Sequence, residues 1–304
     1  MQPEQLRRSA RTFLLLAALC APPALLALLP VALSASQSHP DIGDLRRNTV
    51  RFDELGRLVA YPGKEEVACP AQTGRTAVLL VAGQSNAANH AERRYASRYG
   101  KQVVGLFGNH CTLAQSPLLG SSGEWGEIWT PLADRLIASG AWDQVVIVPA
   151  AVGGSSADLW VRGGRLHPVL MDAVAGAHES RYTITHVLWY QGESDYFAQT
   201  PASTYQAELT DIFDSMRSAD VHAPVYVAVA TRCNAIAPDW SRDNPIAHVQ
   251  RTFAQIDPSV HTGFDADTLI AVSDRYDNCH LGSTGVEKAA ASWAKILHPQ
   301  HAGR

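Results

Sequence analysis

The sequence predicts an α/β protein built on a doubly wound parallel sheet. From residue 76 onward, six short apolar runs rich in β-branched residues recur along the chain. Their continuous apolar character, without alternation of polar and apolar positions, indicates strands that are buried on both faces. Stretches with helical character lie between the runs, and this strand-then-helix order is typical of a parallel sheet covered by helices.

The individual elements follow from local signals. The predicted strands are Ala77–Ala82, Val103–Phe107, Val145–Val148, His186–Tyr190, Val225–Ala230 and Leu269–Val272. Two Thr-Pro pairs, at 130–131 and 200–201, each place a preferred N-cap residue before a proline and predict helix starts. Thr284 and Glu287 have the spacing of a capping box, which predicts the start of the last helix.

The first 35 residues have the layout of an export signal. Arg7, Arg8 and Arg11 precede the apolar stretch 13–33, and small residues follow it at 34–36. This order is typical of a secretory signal peptide. The apolar stretch is almost long enough to span a bilayer, although its three prolines disfavour an undisturbed helix. Residues 1–35 are therefore predicted to be a signal peptide or a retained N-terminal membrane anchor.

Both interpretations place the rest of the chain outside the cytoplasm, in the periplasm or secreted. We predict a linker or N-terminal edge over 36–75 and one α/β domain over 76–304. Residues 1–35 contain three arginines and one glutamate, so the remainder carries a formal charge of −6, against −4 for the whole chain. This balance gives no support to nucleic-acid binding or to contact with anionic lipid. A membrane contact is expected only through an uncleaved N-terminal segment, and the oligomeric state stays open.

Four cysteines remain after residue 35, namely Cys69, Cys111, Cys233 and Cys279. An even number in an exported chain predicts up to two disulfides. Cys233 and Cys279 both lie just past predicted strand ends, so we favour that pair, while other pairings and buried free thiols stay open. The spacings do not resemble a zinc site, and no metal site is predicted.

A serine follows the first predicted strand in the segment Gly83-Gln84-Ser85-Asn86. A serine hydroxyl becomes a nucleophile when a base removes its proton and a tight turn presents it, and Gly83 permits such a turn. We expect Asn86 to support the turn through side-chain hydrogen bonds. The alternative is an ordinary helix cap after a strand.

Asp277 and His280 lie three residues apart beyond the last predicted strand, so their side chains can face the same way. Such a carboxylate fixes the tautomer of the imidazole, whose other nitrogen accepts the proton of a serine. The pattern alone is weak, because chance matches are expected among twelve histidines. It gains weight from its position at the same predicted sheet edge as Ser85. A metal role for His280 lacks partner ligands.

Three groups at this edge could donate hydrogen bonds to a developing oxyanion: the Ser85 amide, the Gly154 amide and the Gln191 side chain. The alternatives are a plain turn at Gly154 and a structural amide at Gln191. Glu193 and Asp195 follow, and we expect them to orient Gln191 or to contact substrate. Paired carboxylates also fit a glycosidase, but a glycosidase would leave the serine and histidine without a role.

Aromatic side chains on predicted loops near the strand ends could stack on a sugar ring, and we assign Trp160 to substrate binding. The alternative is that these rings close the core. The further candidates are Trp125, Trp129, Tyr196 and Trp240.

Taken together, these motifs resemble one family. The segments GQSN, VGGSS, WYQGESD and DNCHLGSTG are similar to those of the SGNH (GDSL-like) hydrolases, in the branch of sialate O-acetylesterases and plant-type acetylxylan esterases. The resemblance covers most of 76–298. It implies a flavodoxin-like three-layer α/β/α sandwich with a doubly wound parallel five-stranded sheet in the order 2-1-3-4-5. It also implies that no cofactor is required.

Residue by residue, the resemblance implies that Ser85 is the nucleophile, His280 the base and Asp277 its partner. Gly154 and Gln191 would complete the oxyanion hole. The chain departs from the family pattern in the segment WYQGESD, where the usual oxyanion asparagine is missing and Gln191 stands in its place.

The predicted function is an exported serine esterase that removes O-acetyl groups from a carbohydrate, such as sialate or xylan, through an acyl-serine intermediate. A lipase or thioesterase of the same superfamily is one alternative, and a glycan-binding or acetyl-transfer protein is another. An α/β-hydrolase is disfavoured because the serine follows the first core strand and the aspartate and histidine are only three apart. The natural glycan stays open.

Overall fold

An eight-stranded, mostly parallel sheet forms the centre of the residues that the computed structural model describes, 49–233 and 244–298. The predicted export segment and Trp240 lie outside these residues. A short antiparallel hairpin over 51–60 is not part of this sheet. The strands in chain order are β1 (Arg51–Phe52), β2 (Leu58–Ala60), β3 (Glu66–Val67), β4 (Thr76–Gly83), β5 (Val103–Phe107), β6 (His110–Leu113), β7 (Gln144–Ala151), β8 (His186–Tyr190), β9 (Val225–Val229) and β10 (Val260–Asp265).

The five parallel strands implied by the family resemblance have the expected order. β7, β4, β8, β9 and β10 lie side by side, which is the order 2-1-3-4-5 when these five are numbered along the chain. This five-stranded unit is the core of a larger sheet. β5 adds in parallel beyond β7, and β6 and β3 extend that edge with antiparallel pairings.

Helices cover both faces of the sheet. Alternate side chains of β4 point to opposite faces. Val78 and Leu80 pack into one core with the helices over 167–179 and 202–218. Leu79 and Val81 pack into a second core with the helices over 129–138 and 283–297. The predicted three-layer, doubly wound class is confirmed. The helices in chain order are α1 (Trp129–Ala138), α2 (His167–Glu179), α3 (Glu193–Ala198), α4 (Ala202–Ser218), α5 (Pro245–Thr252), α6 (Ala266–Leu269) and α7 (Ser283–Leu297).

The predicted helix starts are close to the observed ones but shifted. α1 begins at Trp129 because the Glu127 carboxylate accepts hydrogen bonds from the N–H groups of Trp129 (2.5 Å) and Thr130 (2.8 Å). This carboxylate takes the capping role that we expected of the Thr130 hydroxyl. α4 and α7 begin within two residues of their predicted starts.

The predicted strand Leu269–Val272 is wrong, since β10 occupies that place in the sheet and α6 follows it. The Asp265 carboxylate accepts a hydrogen bond from the N–H of Thr268 (2.9 Å) and caps α6, which ends at Leu269, the first residue of the expected strand. β10 is the edge strand of the described sheet, and its residues His261 and Thr262 are exposed. The continuous apolar pattern of a buried strand is therefore missing from its sequence.

Two disulfides join distant parts of the described chain. Cys69–Cys111, with a Cα–Cα distance of 5.2 Å, links the segment after β3 to β6. Cys233–Cys279, at 4.0 Å, links the residues after β9 to the loop before α7. The favoured pair is confirmed, and the alternative of buried free thiols is wrong. Over the described ranges, none of the helices combines the length and apolarity that crossing a bilayer requires.

Candidate active site

The carboxyl ends of the parallel strands open onto one cavity of about 820 Å³. Ser85 follows β4, Gly154 follows β7, Glu193 follows β8 and Cys233 follows β9, and all of them line this cavity together with His280. Parallel strands bring their carboxyl ends to the same edge of a sheet, where open α/β folds bind ligands. The topology therefore brings together motifs that are far apart in the sequence.

Ser85 lies on a sharp turn directly after β4. Gly83, the last residue of that strand, has a φ of 134°, and a Cβ there would lie 2.1 Å from the Tyr190 carbonyl oxygen. Glycine is required where the backbone comes so close to the neighbouring strand. Ser85 then begins a single 3-10 turn that ends at Ala87. The serine is buried in the cavity wall, at 5% exposure.

Asp277 and His280 form a hydrogen-bonded pair. Asp277 Oδ2 lies 2.6 Å from Nδ1 of His280, and Asp277 Oδ1 accepts hydrogen bonds from the N–H groups of Cys279 (3.0 Å) and His280 (2.6 Å). Burial alone would raise the pKa of Asp277, but these hydrogen bonds outweigh it and hold the pKa below its usual range. The carboxylate is thus ionised at neutral pH, and Nε2 is the ring nitrogen left to accept a proton.

The His280 ring packs against two other rings, which the sequence analysis missed. The His90 ring stacks on it at a centroid distance of 5.4 Å, and the Tyr276 ring lies at 6.1 Å. The Tyr276 hydroxyl donates to the His90 carbonyl oxygen (3.2 Å). Burial, and secondly the neighbouring His280, lower the pKa of His90 to about 4, so this ring is neutral at pH 7. No motif marks His90, because its place depends on how a long loop folds.

Ser122 connects His90 to the turn at Gly153 and Gly154. Ser122 Oγ accepts a hydrogen bond from the N–H of Gly153 (2.7 Å) and lies 3.1 Å from His90 Nε2. Gly154 has a φ of 70°, which favours glycine, and lines the cavity. The turn that carries Gly154 is therefore held in place by the same histidine that stacks on His280.

Gln191 lies outside the cavity wall, in contrast to its predicted place. It is fully buried, and its Nε2 donates to Asp195 Oδ2 (2.6 Å) and to the Ser155 carbonyl oxygen (3.1 Å). Its Oε1 accepts from the Tyr205 hydroxyl (3.1 Å). Because an amide has two hydrogens and both are engaged here, none is left for an oxyanion. This arrangement favours the structural alternative.

Gln84, which had no predicted role, lines the cavity beside Ser85. Its Oε1 accepts hydrogen bonds from the N–H groups of Gly192 (3.3 Å) and Ser194 (3.1 Å). Since backbone N–H groups only donate, they fix which end of the amide is the oxygen. The NH₂ group of Gln84 therefore points away from that loop. Its position immediately before the serine was the one signal available.

Asn86 and Glu193 contact each other beside the serine turn. Asn86 Nδ2 donates to Glu193 Oε1 (2.8 Å) and, at 3.4 Å, to the Cys279 carbonyl oxygen. Both side chains are buried, and burial raises the pKa of Glu193 to about 7 despite the hydrogen bond from Asn86. Asn86 thus makes the supporting hydrogen bonds expected of it, whereas Glu193 contacts Asn86 rather than Gln191.

Trp160 does not offer a face to a sugar. It is 0% exposed, and its indole N–H donates to a buried serine hydroxyl (2.9 Å). Trp129 is likewise buried, so for these two rings the core alternative holds. Trp125 is exposed but lies against the Arg94 guanidinium, 5.0 Å from the ring centroid, outside the cavity wall. Phe197, which the sequence analysis did not single out, is exposed and lines the cavity.

The carboxylates Glu193 and Asp195 do not form a glycosidase pair. Asp195 lies outside the cavity wall and accepts hydrogen bonds from the N–H of Ala157 (2.9 Å) and the hydroxyl of Thr200 (2.9 Å). Among the described residues, no group of three or more His, Cys, Asp or Glu side chains is arranged to hold a metal ion.

A family model matches the residues that build this site. The model described as carbohydrate esterase, sialic acid-specific acetylesterase, matches residues 75–298. The chain belongs to this family. This match confirms the family resemblance drawn from the motifs. Carbohydrate esterases are carboxylic-ester hydrolases, so the chain is an enzyme of that class.

Individual relatives of this carbohydrate esterase are distant. A probable carbohydrate esterase of Arabidopsis thaliana is 30% identical over 89 residues, which make up 28% of this chain and only 34% of that protein. An Arabidopsis thaliana crystal structure aligns with a TM-score of 0.55 and 18% identity, over 73% of this chain and 97% of its own. The crystal structure of NanS aligns with a TM-score of 0.53 and 16% identity, over 73% and 96%. At these identities the two structures share the fold.

Proposed function

We propose that this carbohydrate esterase is an exported serine O-acetylesterase with Ser85 as nucleophile, His280 as general base and Asp277 as its orienting carboxylate. The proposal is carried by one observation, that Ser85 and His280 line the same cavity while Asp277 is hydrogen-bonded to that histidine. A serine, a histidine and a carboxylate in this relation are the parts that acyl transfer through a serine requires.

The reaction is a double displacement on an acetyl ester. Ser85 Oγ attacks the acetyl carbonyl carbon while its proton moves to Nε2 of His280, and the imidazolium then protonates the departing sugar oxygen. The acetyl group remains on Ser85 until a water molecule, deprotonated by His280, attacks its carbonyl carbon. The ester bond to Ser85 then breaks, Ser85 Oγ takes the proton back from His280, and acetate leaves. Asp277 stabilises the imidazolium in both halves.

N–H groups at the strand ends stabilise the oxyanion. The backbone amides of Ser85 and Gly154 are two of the donors, and we assign the third place to the NH₂ group of Gln84 instead of Gln191. Gln84 lines the cavity beside the serine, and two backbone N–H groups anchor its oxygen on the opposite side of the amide. One such donor typically contributes about two to three powers of ten to the rate.

The charge of the cavity wall favours an acetylated sugar that carries a carboxylate. Arg165 lines the cavity and forms no ion pair with a described residue, whereas His90 is neutral and Glu193 titrates near pH 7. An unpaired guanidinium is suited to bind a carboxylate. Phe197, 79% exposed, offers a ring face in the same wall. We therefore favour sialate over xylan, whose backbone is neutral.

Export is part of the proposal. Two disulfides are typical of proteins that fold in an oxidising compartment, and the first 35 residues have the pattern of an export signal. Fractionation of cells that produce the full chain, with mass spectrometry of its N-terminus, tests this. We expect the protein in the periplasm or the medium, and a cytoplasmic pool with reduced thiols would contradict export.

Acetate release from 4-nitrophenyl acetate tests the chemistry. The protein should hydrolyse this ester, Ser85→Ala should lose nearly all turnover, and Ser218→Ala, at an exposed serine of α4, should keep it. Unchanged turnover in Ser85→Ala would remove the serine from the mechanism. Acetyl groups found on an added sugar acceptor, rather than as free acetate, would replace hydrolysis by transfer.

Acetylated glycans test the substrate class. Arg165→Met should raise KM for O-acetylated sialate at least about tenfold, as expected for a lost charge-assisted contact. It should leave the hydrolysis of the neutral 4-nitrophenyl acetate unchanged. Arg162→Met is the matched control, because that arginine pairs with Asp211 outside the cavity. A preference for acetylated xylan, or an unchanged KM in Arg165→Met, would refute the acidic-sugar assignment.

A further inference from the structure

Three segments of the proposed site meet at the side chain of Asn86. Its Nδ2 donates to Glu193 Oε1 (2.8 Å) and to the Cys279 carbonyl oxygen (3.4 Å). Asn86 follows the proposed nucleophile directly, Glu193 begins α3, and Cys279 immediately precedes His280. One amide therefore connects the serine turn both to Glu193 and to the loop that carries the histidine.

Two buried oxygens of this contact, Asn86 Oδ1 and Glu193 Oε2, have no hydrogen-bond partner among the described residues. They belong to the same two side chains that already share the 2.8 Å hydrogen bond. Unpaired buried oxygens are costly, because each loses its water without gaining a donor. A single proton on Glu193 Oε2 can satisfy both, since a neutral carboxyl group donates one hydrogen bond and an amide oxygen accepts it.

The surroundings of Glu193 favour this proton. The charged and titratable side chains that act on it are Arg275 from the histidine loop, Asp267 from α6, Tyr190 from β8 and Tyr205 from α4. Burial raises the pKa of Glu193 to about 7, Asp267 adds to the rise, and hydrogen bonds and Arg275 oppose it. The carboxyl group therefore keeps its proton in mildly acidic solution.

We propose that Glu193 is a positioning residue that works in its protonated form, with Oε2–H donating to Asn86 Oδ1. The carboxyl group and the amide are then joined by two hydrogen bonds, which fix the rotamer of Asn86 and with it the alignment of Ser85 and His280. Loss of the proton breaks one bond and leaves a buried negative charge, so the alignment loosens. The inference rests on the proposed function, because it concerns how that site is held.

The test is the pH dependence of kcat for 4-nitrophenyl acetate in the wild type and in Glu193→Gln. Glutamine presents an N–H at every pH where the protonated acid presents its O–H. At pH 8, one unit above the titration, about one wild-type molecule in ten keeps the proton. We therefore expect Glu193→Gln to be similar to the wild type at pH 6 and about tenfold faster at pH 8. Other pH-dependent steps are common to both proteins, so they cancel in the ratio of the kcat values.

A ratio of kcat values that stays constant from pH 6 to pH 8 would overturn the proposal. Glu208 provides the matched control, because burial raises the pKa of its carboxyl group to about 7 and its Oε2 also lacks a partner in the described part of the chain. It lies in α4 and makes no described hydrogen bond to Asn86. Glu208→Gln should keep a constant ratio to the wild type. A similar pH trend in both variants would assign the effect to stability and also overturn the proposal.

Alanine variants test the pairing itself. Glu193→Ala and Asn86→Ala should each lower kcat about 10- to 100-fold with little change in KM, as expected for a positioning role. The double variant should be no slower than the slower single one, because both changes remove the same pair. Independent, multiplying losses would contradict it. If an alanine variant does not fold, the Glu193→Gln ratio still decides.

The inference and the proposed function fail separately. Turnover retained in Ser85→Ala refutes the proposed function itself. An inactive Ser85→Ala, together with a constant ratio for Glu193→Gln, refutes the role of Glu193 and leaves the esterase mechanism standing.

Discussion

The two disulfides close loops of similar length in regions of the molecule with different tasks. Cys69–Cys111 spans 42 residues and fastens the β3–β6 edge of the sheet. Cys233–Cys279 spans 46 residues, lines the cavity and ties the loop of His280 to the end of β9. Because the entropy of loop closure changes slowly with length, the two bonds should stabilise the fold to a similar extent.

The difference lies in what each bond positions. The Cys279 carbonyl oxygen also accepts hydrogen bonds from Asn86 and from the Arg275 guanidinium, so three connections converge on the residue between Asp277 and His280. Cys111 lies within β6, where backbone pairing with β3 and β5 already holds it. At the sheet edge a covalent bond adds stability alone, whereas at the cavity it also aligns the proposed base.

The largest expected effect belongs to the cavity region. Asp277→Asn removes the ionised partner of His280 and should lower kcat about 10⁴-fold, because the imidazole loses its tautomer control and the stabilisation of its protonated form. Steady-state kinetics with 4-nitrophenyl acetate measure it. Asp143→Asn is the control, since that aspartate pairs with Arg75 at the opposite end of β4. Equal losses in the two variants would remove Asp277 from the mechanism.

A smaller loss is expected at the neighbouring amide. Gln84→Met keeps the length of the side chain but has no N–H to donate, so kcat should fall about 10²- to 10³-fold while KM changes little. Gln102→Met, at an exposed glutamine before β5, should keep its activity. Wild-type kcat in Gln84→Met would exclude Gln84 from the oxyanion hole.

Removing each disulfide sharpens the comparison directly. Replacing both cysteines of either pair by serine should lower the free energy of unfolding by about 2–4 kcal/mol, because the unfolded chain regains its freedom. Denaturant unfolding measures this loss. Titration with an organophosphate counts the active sites, and the turnover rate divided by that count gives kcat. This kcat should fall only for the Cys233–Cys279 variant. A similar drop for the Cys69–Cys111 variant would contradict the division of tasks.

The protonation of Glu193 should change the free energy of unfolding with pH, by an amount similar to or smaller than the loss of a disulfide. The pKa of Glu193 rises from 4.5 to about 7 on folding, so the folded protein binds the proton more tightly. This contribution to stability is full below pH 4.5 and is lost as the pH rises through 7, by about 3 kcal/mol in total. The Glu193→Gln variant has no proton to lose at this position, so its stability lacks this pH dependence. The gap between the unfolding free energies of variant and wild type should therefore widen from pH 5 to pH 8, and a constant gap would contradict the pKa shift.

Local patterns predicted the parts of the site that local chemistry defines. Ser85 needs only a strand, a glycine and a turn, and Asp277 needs only the three-residue spacing that lets it reach His280. The buried parallel strands were predictable because both of their faces are apolar, as in β4. The edge strand β10 lacks that pattern and was missed.

The rest depends on contacts that no local pattern contains. The sequence predicted Gln191 as a donor and gave no role to Gln84. The structure separates them by the hydrogen bonds of their amides, which for Gln191 include the Ser155 carbonyl oxygen and for Gln84 the N–H of Ser194. Trp160, which we expected to contact the substrate, is buried, whereas Phe197, for which we made no prediction, is exposed in the cavity wall. Burial depends on which side of a loop faces the core. The contact of His90 with His280 could not be predicted, because it depends on how the loop of His90 folds.

Covalent labelling of the serine tests the central claim most directly. Diethyl 4-nitrophenyl phosphate should inactivate the protein, and peptide mass mapping should place a single diethylphosphoryl group on Ser85. The labelling should become far slower in His280→Ala, because the hydroxyl then lacks its base. Loss of activity with the group on another residue, or full activity with no label, would contradict the account.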